Sequence, residues 1–439
     1  MAKEIGVGFL GAGTVGAGAL EVLLSKREKL ARDLGAELVV RRVLVRDLEK
    51  ERPIQLPAGL LTTDPADVLG DPTVEVVVEL IGGEEPACAY IQQALEAGKH
   101  VVTANKEVIA KHGAKLLSVA AANDVNLFFE ASVGGGIPVI STLRHDLVAN
   151  EMHALEAIIN GTTNYILSDM ATGRDYASAL ADAQRLGYAE ADPKNDVEGI
   201  DASYKLAILA TLAFHSEVRP IDLVRVGITR LHPNDFSYAA EMGYVVKLIA
   251  WARLVDGQIE AAVYPMLIPQ THSLAAVRGV FNAILLDGDQ IDKLMLYGRG
   301  AGSRPTASAV VADLCRVAHN LTRGVTDRVA ISSGRDTRVR PFGELTSRFY
   351  LRMQAADKPG VLAQIARVLG ENEISIASFI QRDPAAREGI DGEAIAEPSS
   401  AELVITTHRA TEDQMARALA AFGTLEVVYD VSSFIRVQG

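Results

Sequence analysis

The residues best able to move a proton are grouped between positions 187 and 205, where Gly187-Tyr188-Ala189-Glu190-Ala191-Asp192-Pro193 is followed by Asp196, Asp201 and Lys205. Asp201 and Lys205 are one helical turn apart and share a face, while Leu206, Ile208, Leu209 and Leu212 continue an apolar helix. Acids and a lysine at the mouth of such a helix can hold an ammonium group and hand a proton to a developing alkoxide. The same spacing fits an ordinary salt bridge beside a solvated acidic loop, and spacing alone leaves both readings open. Upstream, Asn160-Gly161-Thr162-Thr163-Asn164 is a polar turn entering a helix, suited equally to anchoring a carboxylate and to starting the helix.

A reaction partner for these groups is suggested near the N-terminus. Residues 5–10 read as a buried strand, followed by Gly11-Ala12-Gly13-Thr14-Val15-Gly16 and an amphipathic run over 15–30. A glycine turn between strand and helix lets main-chain N–H groups and the helix N-terminus meet a pyrophosphate, and Gly13 has no Cβ to block the approach. The second strand, 37–45, ends in Val45-Arg46-Asp47. An arginine there can pair with a 2′-phosphate, which tilts the cofactor towards NADP, while Asp47 keeps NAD open. Lys99-His100-Val101-Val102-Thr103-Ala104-Asn105-Lys106 places Asn105 and Lys106 beyond the carboxyl end of another strand, where doubly wound sheets bind ligands. A surface lysine capping the sheet is the plainer alternative.

Further strands are expected at 74–80, 100–103 and 125–129, with helices at 85–97 and 107–122 between them. Residues 1–133 are therefore expected to form a Rossmann-type, doubly wound parallel sheet, an α/β dinucleotide-binding domain. Gly134-Gly135-Gly136-Ile137-Pro138 ends the alternation and opens a long apolar helix over 138–147. A central α+β catalytic and dimerisation domain is expected over 134–301, with strands at 263–269 and 277–285. Gly298-Arg299-Gly300-Ala301-Gly302 before Pro305-Thr306-Ala307 starts a helix over 306–320, and the segment 302–322 is expected to return to the first domain. A polar linker, 323–346, leads to a tail, 347–439. Its strands (348–354, 375–380, 401–407, 425–435) and helices (360–371, 412–422) follow the βαββαβ order of a ferredoxin-like unit. Residues 382–400, with two Pro, two Gly and many charges, interrupt that order and read as a mobile loop.

The chain of 439 residues is long enough for about three domains. Lys and Arg total 43 against 56 Asp and Glu, a net charge of −13, which disfavours a broad nucleic-acid surface and points to small-molecule partners. With 49% hydrophobic and 23% charged residues, neither a disordered chain nor a coiled-coil rod fits. Cys88 and Cys315 lie in Ala-rich, helix-like stretches and read as core, and the His residues show no metal-binding spacing with them. The apolar stretch 261–277 is broken by Pro265, Pro269, Gln270 and His272, so it does not read as a membrane span. The N-terminus enters a strand without room for a signal-peptide core. A soluble, cytoplasmic protein is expected.

Several of these segments, taken in chain order, resemble the homoserine dehydrogenases: Gly11 to Gly16, Glu79-Leu80-Ile81-Gly82-Gly83, Val102-Thr103-Ala104-Asn105-Lys106, residues 130–138, Asn160 to Asn164, residues 186–205, and Gly300-Ala301-Gly302 before Pro305-Thr306-Ala307. The likeness runs through nearly the whole chain. It implies reversible, NAD(P)H-dependent reduction of L-aspartate 4-semialdehyde to L-homoserine, a branch step towards threonine, methionine and isoleucine. It implies that Lys205 is the acid/base that protonates the carbonyl oxygen and that Lys106 polarises the same oxygen. A desolvated site can bring a lysine towards neutral pKa for that purpose.

By the same resemblance Glu190 and Asp201 bind the substrate's amino and hydroxyl groups, Asp196 supports them, and Gly161 and Thr162 join the substrate-binding set. Gly11, Gly13, Thr14, Val15, Gly16, Lys106, Gly187 and Gly302 are implied to bind the cofactor, and Arg46 matches the basic position after the second strand. A sodium ion is implied at Glu130, Val133, Gly135 and Ile137, held largely by main-chain carbonyls. The tail, with Asp357-Lys358-Pro359-Gly360-Val361-Leu362 at its first strand–helix turn, resembles an ACT domain. That implies pairing of subunits, as a homodimer or homotetramer, and feedback inhibition by L-threonine.

Two rival functions fit parts of the pattern. Aspartate-semialdehyde dehydrogenase also joins a dinucleotide domain to a mixed domain, but it needs a cysteine nucleophile, and neither Cys88 nor Cys315 has a neighbouring His. A non-catalytic amino-acid sensor would have no use for Lys205 opposite a hydride donor.

Overall fold

A computed structural model describes residues 3–57, 59–327, 337–382 and 400–438, so the body of the expected 382–400 loop and the middle of the linker lie outside the described residues. Among the described residues two sheets organise the chain. The first has six parallel strands, in the spatial order Leu61–Thr62, Ala36–Leu44, Lys3–Leu10, Val76–Glu79, His100–Thr103 and Leu127–Phe128. This third-second-first-fourth-fifth-sixth order is the Rossmann arrangement that the alternating sequence pattern predicts.

Because helices cover both faces, the strands are apolar on both sides. Ile5, Val7, Phe9, Val76, Val78 and Val102 pack against the helices Thr14–Ser25 and Ser303–Arg323, while Leu10, Val77 and Val101 belong to a core with the helices Ala87–Glu96 and Lys106–Ala122. The helix Ser303–Arg323, far along the chain, thus completes one layer of the first sheet. Gly18 permits its approach, since a Cβ there would stand 2.7 Å from Ser303 Oγ. The run expected as one helix over 15–30 is two, Thr14–Ser25 and Arg27–Leu34. The Ser25 hydroxyl donates to the Glu21 carbonyl (2.6 Å) and Lys26 leaves the helical region at φ −111°, so the side chain competes with the helical ladder at the break. The apolar run 138–147 forms only the short helix Val139–Ser141, continued by a π-helical segment, Thr142–Asp146.

The second sheet runs through the rest of the chain. Its main path is Asp292–Arg299, Phe281–Gly288, Met152–Ile158, Tyr244–Val255, Gln258–Pro269, Val428–Val437, Thr346–Ala356, Ser400–Thr407 and Ile376–Arg382. The last four belong to the tail, which shows the expected ferredoxin-like order with the helices Val361–Glu371 and Glu412–Phe422. The tail joins the central strands through a short parallel pairing, Met266 with Arg436 and Leu267 with Val437.

The helix Ile200–Phe214 packs on both the helix Lys106–Ala122 and the central strands, so it bridges the two sheets. Cys88 is buried and Cys315 half-buried. Among the described residues no helix is long and apolar enough to cross a membrane.

Candidate active site

Gly199 takes a left-handed conformation (φ +76°) and launches the helix Ile200–Phe214, placing Asp201 in its first turn and Lys205 one turn later. Both are buried, with 4% and 8% of their surface exposed. Asp201 is the hub of the site. Its Oδ2 accepts from Lys205 Nζ at 2.7 Å and from Asn160 Nδ2 at 2.9 Å, and its Oδ1 pairs with the Lys106 ammonium. Lys205 Nζ also donates to the Ile159 carbonyl at 2.8 Å, and Asn160 Nδ2 donates to Asp196 Oδ1 at 2.7 Å. Lys106, Asp196, Asp201 and Lys205 therefore form one cluster, built from the helices Lys106–Ala122, Lys194–Val197 and Ile200–Phe214.

Lys106 reaches the cluster because its turn is pinned. Glu79, at the end of its strand and fully buried, accepts from the Thr103 hydroxyl at 2.6 Å and from the Ile81 amide at 2.8 Å. Thr103 Oγ1 accepts the Asn105 amide at 2.9 Å, Asn105 Nδ2 donates to the Gly83 carbonyl at 2.7 Å, and Asn105 Oδ1 caps the helix at the Val108 amide.

The electrostatics separate the two lysines. Burial, reinforced by the Lys106 charge, draws Lys205 below its ordinary range against the pull of Asp201. Burial also acts on Lys106, but there the Asp201 carboxylate outweighs it and holds the ammonium above its usual value. Burial would raise Asp201, yet the two lysines keep it well below the carboxylate range. Asp196 is raised, by burial first, while the Asn160 hydrogen bond opposes the change. Two like groups pushed in opposite directions are the usual mark of divided acid–base roles.

The glycine turn has the shape a pyrophosphate needs. A Cβ at Gly16 would collide with the Gly11 carbonyl, and one at Gly11 (φ +107°) would stand 2.8 Å from the Leu80 carbonyl oxygen. A Cβ at Gly13 would meet nothing within 4 Å, and the helix behind it has no side-chain cap. The turn is thus tight where the chain must fold on itself and open where a phosphate would approach. Thr14 lies beside Gly302, because the neighbouring Ser303 hydroxyl donates to the Thr14 carbonyl at 2.9 Å. Val15 is partly buried, and Arg46 is exposed beyond the second strand with no ion pair among the described residues. Gly187, at φ +75°, lies in the exposed loop after the helix Tyr176–Arg185.

Other expected residues stand apart from the hub. Glu190 is exposed, and its carboxylate makes no hydrogen bond or ion pair among the described residues. The Thr162 hydroxyl donates to the Tyr188 carbonyl at 2.6 Å, tying the 187–193 loop to the start of the helix Gly161–Met170. Gly161 sits against the Val280 carbonyl, 2.8 Å from where a Cβ would be. The Glu130 carboxylate accepts the Ile140 and Ser141 amides at 2.8 and 2.7 Å, and the Glu130 and Ile137 carbonyls accept the Val133 and Val139 amides. Gly135 (φ +57°) presses against the Gly300 carbonyl. Both oxygens of the Glu130 carboxylate are thus engaged by main-chain amides, so a cation at Glu130, Val133, Gly135 and Ile137 would depend on their main-chain oxygens. Among the described residues no His, Cys, Asp and Glu cluster could hold a metal ion.

Sequence reasoning gave Asn160 only a place in a turn that anchors a carboxylate or starts a helix, and Glu79 only a place in a motif. An Asn before a helix start reads as a cap, and its second function appears only when Asp196 and Asp201 fold onto its nitrogen. Glu79 closes a strand in a motif, but its partner Thr103 belongs to the neighbouring strand.

Comparison with known proteins agrees along the whole chain. Residues 138–315 match the family model for homoserine dehydrogenase, residues 11–130 that for the homoserine dehydrogenase NAD-binding domain, and residues 349–426 the ACT domain. The homoserine dehydrogenase of Bacillus subtilis is 39% identical over 438 residues, covering 100% of this chain and 99% of its own. The crystal structure of a homoserine dehydrogenase from Thiobacillus denitrificans superposes with a TM-score of 0.91 at 42% identity, covering 99% of this chain and 98% of that one. A hyperthermophilic archaeal homoserine dehydrogenase in complex with NADPH superposes at 0.62 with 26% identity, covering 74% of this chain and 100% of that one.

Proposed function

The chain belongs to the homoserine dehydrogenase family, oxidoreductases acting on CH–OH, and from that premise we propose that it converts L-aspartate 4-semialdehyde reversibly to L-homoserine, with NADPH supplying the hydride and Lys205 the proton. The observation that carries the mechanism is Asp201 held between Lys205 and Lys106. Lys106, kept charged, polarises the carbonyl oxygen. Lys205, drawn down by burial, gives that oxygen its proton and retrieves it in the reverse direction. Asp201 orients both ammonium groups and takes the substrate hydroxyl. Glu190, unpaired among the described residues, is available for the substrate ammonium, with Asp196 in support. Gly161 and Thr162 offer main-chain amides at a helix N-terminus to the substrate carboxylate.

On the dinucleotide side, Gly11, Gly13, Thr14, Val15 and Gly16 cradle the pyrophosphate, with Gly187, Gly302 and Lys106 alongside. Arg46, exposed at the end of the second strand, favours NADP over NAD, and the archaeal relative solved with NADPH supports that choice. A sodium ion belongs at the main-chain oxygens of Glu130, Val133, Gly135 and Ile137. The ACT tail makes L-threonine the feedback inhibitor and pairs subunits into a dimer or tetramer.

The test is homoserine oxidation assayed with NADP and NAD in parallel, with and without L-threonine, for the wild type and Lys205→Ala. Faster turnover with NADP, inhibition by threonine, and a loss of about 10²–10⁴-fold in Lys205→Ala with unchanged cofactor affinity are expected. Near wild-type turnover in that variant would remove Lys205 from the mechanism.

A further inference from the structure

Both amide protons of Asn160 and its amide oxygen have partners. Its nitrogen carries two protons and donates one to Asp196 Oδ1 at 2.7 Å and one to Asp201 Oδ2 at 2.9 Å. Its oxygen accepts from the Thr163 amide at 2.8 Å and the Thr163 hydroxyl at 3.0 Å. The Thr163 amide can only donate, so it fixes which end of the Asn160 side chain faces the acids. The side chain is 5% exposed, so water does not screen what it touches.

Two carboxylates gathered on one nitrogen repel each other, and each favours protonation of the other. A neutral group that donates twice from a single atom lets both remain ionised at that separation. It also fixes Asp201 Oδ2, the same oxygen that accepts the Lys205 Nζ hydrogen bond at 2.7 Å. We propose that Asn160 is a positioning residue of the reaction: it keeps Asp196 and Asp201 together as anions and holds Asp201 Oδ2 on Lys205. The inference rests on the reading of Lys205 as the proton donor.

The competing role is plain capping of the helix Gly161–Met170, and substitution separates the two. Asn160→Asp keeps an oxygen that can cap, because Asp caps as well as Asn, but it turns an oxygen towards the two acids where the donor stood. Added negative charge near Lys205 favours its ammonium, and oxidation needs the neutral amine. The ascending limb of the pH profile for homoserine oxidation should therefore move up by about one pH unit, with NADP affinity unchanged. Asn160→Ser retains a cap but is too short to span the acids, and kcat should fall about tenfold or more in a protein that still folds at the assay temperature. Capping alone predicts that both variants stay within about twofold of the wild type across the pH range, and that result overturns the proposal. Lys205→Ala, run beside them, keeps the failures apart: an active Lys205→Ala overturns the proton donor itself, whereas an inactive one beside an unmoved Asn160→Asp profile overturns Asn160 alone.

Discussion

Asp201 sets the character of two lysines at once, and its removal should show it. In Asp201→Asn the shape is kept and the charge lost, so Lys205 loses the attraction that partly offsets its burial and its pKa falls further. With Lys205 as the proposed proton donor, reduction would need the ammonium and oxidation the neutral amine, so the two directions should respond in opposite senses. In the wild type, reduction should decline and oxidation rise as pH increases through the lowered Lys205 value. In Asp201→Asn both transitions should shift to lower pH, and reduction near neutrality should drop by about 10²–10³-fold. Paired pH profiles in the two directions check this, and a shift to higher pH would contradict the assigned electrostatics. Stability carries the same signature. The Asp201 carboxyl is depressed in the folded state, so its contribution is present above the unfolded carboxylate pKa and is lost as pH falls through the folded value. Acid unfolding of Asp201→Asn should therefore be less steep with pH than that of the wild type.

At the scale of elements, the glycine turn separates folding from binding. Gly16→Ala places a Cβ against the Gly11 carbonyl and should lower the thermal midpoint, whereas Gly13→Ala, at an ordinary φ of −74° and facing nothing, should leave it within about a degree or two while weakening NADPH binding about tenfold or more. Differential scanning fluorimetry with and without NADPH reads both effects, and equal damage from the two substitutions would remove the phosphate cradle from Gly13. The turn was legible because its glycines, strand and helix are contiguous. Lys205 and Asp201 were legible as a helical pair from their spacing, whereas their meeting with Lys106 was implied only by the family resemblance, since it joins residues 106 and 201 on two helices far apart in the chain. The break at Lys26 escaped because the apolar spacing continues through it, and its local signal is only a serine hydroxyl bonded back to the Glu21 carbonyl. Tyr244–Val255 escaped as a strand because its middle is buried on both faces, so it lacks the alternation that marks a half-exposed strand. Glu190 was legible as an acid in a polar loop, yet sequence could not reveal that its carboxylate stands outside the hub.

The tail is joined to the central strands by contacts that sequence periodicity does not reveal. The tail extends the central sheet at Met266 and Leu267, and a buried ion cluster locks the contact. Arg352 of the tail donates to Asp235 of the helix Pro233–Glu241 at 2.7 Å and to Glu402 at 2.9 Å, while the Tyr350 hydroxyl donates to Asp235 at 3.1 Å and the Tyr238 hydroxyl to Glu402 at 2.5 Å. The strand Gln258–Pro269 reaches onward to the active site. The Val263 carbonyl accepts the Val226 amide at 2.8 Å, the Val197 carbonyl accepts the Ile228 amide at 2.9 Å, and a Cβ at Gly199 would lie 3.3 Å from Val263 Cγ1. Asp201 follows two residues later, so a continuous run of contacts leads from the tail strand to the turn that starts the helix Ile200–Phe214. If tail and centre share one cooperative unit, breaking the ion cluster must weaken both. Arg352→Ala leaves Asp235 and Glu402 buried without their cation, at a cost of about 3–5 kcal/mol. Its effect should be a single transition at lower temperature, in which loss of dehydrogenase activity and loss of tail secondary structure coincide. A variant whose tail melts first while full activity persists would mean that the sheet is continuous in shape but not in stability, and that the tail must influence the active site by another route.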